Sequence, residues 1–131
     1  MASIFFFFFN GELPSYKIAE DSNYYAFLDI NPLTKGHTLV VPKKETDYYF
    51  DLDDAILQGL TVFSKKIATA IEKVVDCKRI SVVVFGLEVP HAHVHLIPVH
   101  QIDDINFTRP KLSLTDQEFK EIAERIRNAI D

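Results

Sequence analysis

Apolar and polar positions follow two different periods along this chain, and each change of period marks a change of element. Between residues 16 and 41, three short apolar runs, Tyr16 to Ala19, Tyr24 to Ile30 and His37 to Val41, are separated by turn residues that include Asn31, Pro32 and Gly36. That pattern predicts consecutive strands of a meander. From Leu52 the spacing becomes three or four residues. Leu52, Ile56, Leu60, Phe63, Ile67, Ile71 and Val74 line one face of a long helix, with Asp51, Asp53 and Asp54 at its positive end. Arg79 to Phe85 returns to a β-branched run, Gly86 to Pro90 reads as a short loop, and His91 to Val99 as a last strand. Asp103 to Pro110 reads as a loop. Thr115 and Glu118 then form a capping box for a C-terminal helix with Phe119, Ile122, Ile126 and Ile130 on one face. The order predicts an α+β fold: a five-stranded antiparallel sheet meander with one long helix and a C-terminal helix, as a single domain over residues 1–131.

Composition narrows the class. At 131 residues, with 47% apolar and 25% charged positions, the chain can bury one core without disulfides or metal staples, and it is not expected to be disordered. A net charge of −5 argues against nucleic acid or an anionic membrane as partner, so any anionic ligand must be held by local groups. Cys77 is the sole cysteine, which excludes a disulfide framework and a cysteine zinc cage and fits a reducing cytoplasm. No apolar run approaches the roughly 20 residues that span a bilayer. Ile4 to Phe9 ends in five phenylalanines but has neither a basic leader nor a small-residue cleavage site. Export is not expected. The run reads as a segment buried under the sheet or in a subunit contact, rather than as a stacking platform.

The chemistry concentrates in His91-Ala92-His93-Val94-His95. Successive strand side chains point to opposite faces, so Ala92, Val94 and Leu96 can enter a core while three imidazoles share the other face. Imidazole, with an ordinary pKa of about 6.5, serves near neutral pH as nucleophile, proton donor or neutral ligand. For phosphoryl or nucleotidyl transfer one ring attacks phosphorus, a second serves the departing group, and others fix orientation. The same spacing also suits two zinc ligands, with His37 or His100 as a third, so metal-assisted hydrolysis stays open on the residues alone. His100 breaks the alternation and should face away. Lys43 and Lys44 read as a solvated strand end, and Cys77 is given no catalytic part.

His91 to Ile97 resembles the signature of the histidine-triad family, in which alternating histidines are followed by two apolar residues. Gly11 to Asp21, Ala26 to Pro32 and Gly36 to Lys44 are similar to that family's N-terminal half in order and spacing, so the resemblance covers roughly residues 11–99. It implies a homodimeric domain that binds a purine nucleotide or nucleotide conjugate and hydrolyses or transfers its α-phosphoryl group through a nucleotidyl-histidine intermediate, with no cofactor and no metal. By match to the motif, His93 is the nucleophile and His95 contacts phosphate and helps protonate the leaving group. His91 supports the geometry and His37 orients a neighbour. Asp29 falls where the ribose hydroxyls are held, and Ile30, Glu88 and Val89 join it in the nucleotide site. Two departures matter. The loop before the triad is short, Phe85 to Pro90, with Leu87 where a glutamine is expected and Glu88 repelling phosphate. Backbone N–H groups near Gly86 then do the work, or the alternative holds, a catalytically weak nucleotide-binding or dimeric interaction module. The paired cysteines that some members use for zinc are also absent, with Ser3 where one would stand, so no structural zinc is expected.

Overall fold

Three of the five strands are buried on both faces, which is why their sequences read as continuous apolar runs. The computed structural model describes residues 2–131. The strands are β1 (Lys17–Glu20), β2 (Tyr24–Leu28), β3 (Thr38–Pro42), β4 (Arg79–Val83) and β5 (Val94–Val99), and the helices are α1 (Ile4–Phe9), α2 (Asp54–Val74) and α3 (Asp116–Asn128). All pairings are antiparallel, in the order β1-β2-β3-β5-β4. The first three strands form the expected meander. The β4–β5 hairpin then joins it through β5, which puts His95 on an interior strand of the sheet.

One face packs against α2 and α3. Tyr24, Ala26 and Leu28 of β2, Val40 of β3, and Val94 and Leu96 of β5 meet Leu60, Phe63, Ile67 and Ile71 of α2 and Phe119, Ile122 and Ile126 of α3. Fully burying one such side chain contributes about 1.5–3 kcal/mol. The Asp53 carboxylate caps α2 at the Ile56 N–H, and Thr115 with Glu118 forms the predicted box at α3. Gly59 lets the sheet approach α2 closely: a Cβ there would lie 2.0 Å from the Tyr24 hydroxyl, which donates to the Ile56 carbonyl.

The opposite face carries Tyr25, Phe27, Leu39 and Val41 and is covered in part by α1 through Phe5, Phe8 and Phe9. The phenylalanine run is thus a short helix against the sheet, with Phe5 buried and Phe6 to Phe9 partly exposed. Several boundaries differ from the sequence reading. β2 stops at Leu28, because the Asp29 carboxylate accepts the Asn31 N–H and turns the chain. β3 begins at Thr38, after Gly36 takes a positive φ of 92° that a side chain would strain. β5 begins at Val94, so His91 and His93 precede the strand. There the His91 N–H donates to the Val89 carbonyl across Pro90, and the Ala92 N–H donates to Thr46. Both bonds hold the segment out of the β3–β5 ladder.

Candidate active site

The histidines converge although only His95 lies on β5. Rings of His93 and His95 are 5.0 Å apart, and those of His37 and His95 are 5.2 Å apart. His37, His91, His93 and His95 are all buried, whereas His100 is half exposed beside Asp76, away from the group as expected.

Hydrogen bonds fix the tautomer of every buried ring, because a backbone N–H only donates and a carbonyl only accepts. The Leu33 N–H donates to His37 Nδ1 at 3.0 Å, which places the His37 proton on Nε2. That Nε2–H donates to His95 Nδ1 at 2.9 Å, which places the His95 proton on Nε2 in turn. His95 Nε2 is buried and has no partner among the described residues. Its proton is the one in the histidine cluster with no protein acceptor among those residues. His93 is set the other way: its Nδ1–H donates to the His91 carbonyl at 2.7 Å, leaving the Nε2 lone pair free. His91 donates from Nε2 to the Pro42 carbonyl and accepts at Nδ1 from the Ser3 hydroxyl, each at 2.7 Å. The Ser3 N–H in turn donates to Glu45.

Burial lowers the pKa of all four rings, most strongly for His37 and His95. Lys111 adds to the effect at His37, and His37 and His93 add to it at His95. The rings are therefore neutral near pH 7, as a nucleophile and a neutral donor require. Burial also raises the Asp29 carboxyl to about 6, against the Asn31 hydrogen bond, with Glu88 adding to the rise and Lys111 opposing it. Asp29 Oδ2 lies 3.6 Å from His37 Nε2, but the two do not form an ion pair, since His37 gains its proton only at a pH where Asp29 is already neutral.

A cavity of about 390 Å³ opens onto His93 and His95, a size suited to a small ligand. Asp29, Ile30, Glu88 and Val89, which the resemblance assigns to a nucleotide site, line it. Phe5, Phe8, Phe27 and Leu39 supply its apolar walls. Leu87 is 86% exposed and does not reach it. A larger groove of about 710 Å³ between residues 14–17 and α3 holds no histidine, and its Lys120 and Arg127 are already bonded to Asp116 and to the Lys17 carbonyl. Of the two, only the smaller cavity is lined by histidines.

Asp29, His37 and His95 come close enough together to suggest a metal site. They do not fit one. With Nδ1 of His37 committed to the Leu33 N–H, Nε2 must keep its proton and has no lone pair for a cation. His91 is likewise used at both nitrogens.

A family model described as HIT domain matches residues 10–102. The chain belongs to the HIT, or histidine-triad, family. An uncharacterized HIT-like protein of Borreliella burgdorferi is 39% identical over 125 residues, covering 89% of this chain and 90% of its own. The adenosine 5'-monophosphoramidase HNT1 of Saccharomyces cerevisiae is 35% identical over 98 residues, covering 74% of this chain and 62% of its own. Among solved structures, the HIT-like protein of Bartonella henselae involved in cell-cycle regulation superposes with a TM-score of 0.84 at 32% identity, covering 98% of this chain and 96% of that one. The α+β fold is thus the HIT fold.

Several residues of this HIT site were not singled out from the sequence. Ser3 and the carbonyls of Pro42 and His91 act through long-range or backbone contacts that no side-chain pattern announces. Phe5 and Phe8 gave a signal, the apolar run itself, but its position over the cavity depends on the fold.

Proposed function

We propose that this HIT protein is a nucleotide hydrolase or nucleotidyl transferase acting on nucleoside monophosphate derivatives of the phosphoramidate or acyl-adenylate type, through a nucleotidyl-His93 intermediate. The observation that carries the reading is the pair of opposed tautomers at the cavity, a bare Nε2 on His93 beside an unpartnered Nε2–H on His95. His93 Nε2 attacks phosphorus, the bond from phosphorus to the leaving group breaks, and the nucleotidyl group rests on His93. Water or a second acceptor then takes it, and the ring returns neutral.

His95 acts first as a hydrogen-bond donor to a phosphoryl oxygen. A neutral ring whose Nδ1 already accepts from His37 gives up its Nε2 proton only by becoming an imidazolate, so charge stabilisation is the larger part of its role. The departing amine is protonated from solvent, or from His95 in the fraction that carries a second proton. Asp29 accepts hydrogen bonds from the ribose hydroxyls, and Ile30, Val89 and the aromatic wall hold a purine beside Glu88. No cofactor enters this scheme. The yeast relative's phosphoramidase activity is in keeping with it. We also expect a homodimer in the cytoplasm: β4 is an open sheet edge, and Val82 on it and Val62 on α2 are both exposed apolar residues suited to a second copy.

Incubation with adenosine 5'-phosphoramidate tests the reading. Wild type should release adenosine monophosphate, and His93→Ala should lose about 10³-fold or more in kcat while still binding the nucleotide by calorimetry. Equal turnover by the variant removes the nucleophile assignment. A second reading, a catalytically weak binding module, is favoured by the absence of Leu87 from the cavity and the presence of Glu88 in it. Tight binding of adenosine monophosphate with no measurable hydrolysis decides for that module.

A further inference from the structure

The segment after β5 has no part in the scheme so far, yet it is built with care. The Asp104 carboxylate accepts the backbone N–H groups of His100 and Gln101 and a guanidinium N–H of Arg109, and Arg109 also donates to the Asp103 carbonyl. Lys111 donates to the Phe107 carbonyl at 2.6 Å. The Leu112 N–H donates to the Pro32 carbonyl, which ties this segment to the loop whose Leu33 N–H sets the His37 tautomer. This network fixes one side chain, Phe107, whose ring meets His95 edge-on at 5.1 Å and 76° and His37 edge-on at 6.1 Å.

Phe85, from the segment after β4, lies flat on the same His95 ring at 5.1 Å and 19°, and it meets Phe107 edge-on at 4.7 Å. Two aromatic rings from distant parts of the chain thus enclose one imidazole. Neither lines the substrate cavity. They touch His95 from behind, where they exclude water and restrict rotation about its side-chain bonds. Edge-on and offset-stacked aromatic contacts of this kind contribute about 0.5–1.5 kcal/mol beyond burial, enough to bias a ring between two orientations.

We propose that Phe85 and Phe107 are positioning residues for His95, a clamp that holds its Nε2–H toward the cavity and seals the His37–His95 bond from solvent, with the Asp104–Arg109 pair as its anchor. The inference rests on the nucleotidyl-transfer reading for its kinetic consequence but not for its structural one. If the clamp opens, water competes for His95 Nδ1, the second tautomer becomes populated, and the ring regains basicity.

The test combines kinetics with a spectrum that does not depend on turnover. Full-length ¹⁵N-labelled wild type, Phe85→Leu, Phe107→Leu and Phe107→Ala are compared by two-bond ¹H–¹⁵N correlation of the histidine rings from pH 5 to 8, alongside adenosine 5'-phosphoramidate assays. Wild-type His95 should show one tautomer, protonated at Nε2, with no titration in this range. Phe107→Ala should show mixed tautomers, an upward-shifted midpoint and a kcat about tenfold lower with KM within about twofold, since small misplacements of reacting groups carry costs of this order. The leucine variants, which keep apolar cover, should recover most of the spectrum. Unchanged His95 signals in Phe107→Ala overturn the proposal, whether kcat falls or not, because the rings would then be ordinary packing. Altered His95 signals in Phe107→Ala, alongside a wild type that hydrolyses no phosphoramidate, would uphold the clamp and remove the substrate reading instead.

Discussion

His37 Nε2 stands 2.9 Å from His95 Nδ1, and through that bond a backbone amide five residues into a loop, the Leu33 N–H, determines which nitrogen of His95 carries its proton. The relation makes His37 a tautomer selector. A charge relay would need His37 to become an anion, which its burial disfavours. His37→Ala should therefore leave His95 buried with an unpaired Nδ1 at a cost of about 1–3 kcal/mol. We expect kcat to fall about 10–100-fold with little change in KM, and the His95 ring to show both tautomers in ¹⁵N spectra. Full activity in this variant would show that the tautomer does not matter.

Acid should destabilise the protein earlier than its carboxylates alone would suggest. His37 and His95 are neutral in the fold and have folded pKa values depressed by burial. Below the unfolded value of about 6.5 the unfolded chain binds protons that the native rings refuse, so stability falls as pH falls. Each such ring contributes a slope of about 1.4 kcal/mol per pH unit in that window. Asp29, raised to about 6, acts in the opposite sense between its unfolded value near 3.9 and 6, and offsets one histidine. The net expectation is a melting temperature that drops as pH falls from about 6.5 to about 4.5, measured by calorimetry. A flat profile would contradict the neutral burial of the pair.

Asp29→Asn separates binding from stability. Asparagine can still accept the Asn31 N–H, but it carries no charge to bury. Stability above pH 6 should hold or rise by up to about 3 kcal/mol, while on the proposed reading KM for the nucleotide increases with the loss of the anionic acceptor assigned to the ribose hydroxyls. Urea melts at pH 8 and steady-state kinetics read the two effects independently.

Ser3→Ala removes the donor to His91 Nδ1 and should cost about 1–2 kcal/mol, since the ring nitrogen is left buried without a partner. The same residue begins α1, whose Phe5 packs edge-on against His91 at 5.6 Å and His93 at 5.1 Å. Loosening that helix should raise KM more than it lowers kcat. A variant with unaltered KM would mean that α1 is held by its phenylalanines alone.

Much of this was readable in the order of the residues. The helical faces of α2 and α3 and the Thr115–Glu118 box follow from spacing, and the sheet from its apolar runs and turns. The convergence of His37 with the triad followed from the resemblance. What escaped depends on contacts across the fold. The alternation of the three histidines suggested one continuous strand, yet the bonds from His91 to Val89 and from Ala92 to Thr46 hold the first two outside it. Phe107 was hidden because a lone aromatic in a polar loop looks the same whether it is exposed or, as here, pressed on a functional ring. Ser3, 88 positions from His91, leaves no local trace of their bond.

One wall of the cavity is a six-residue helix, whereas the histidines are mounted on the sheet and its flanking loops. On the proposed reading, ligand selection draws largely on this helix and the reaction on the sheet and its loops. Exchanging the side chains at positions 4 and 8, and leaving Phe5 with its edge-on contacts to His91 and His93, offers a way to retune which ligand is admitted while the imidazole array and its proton placement stay as they are.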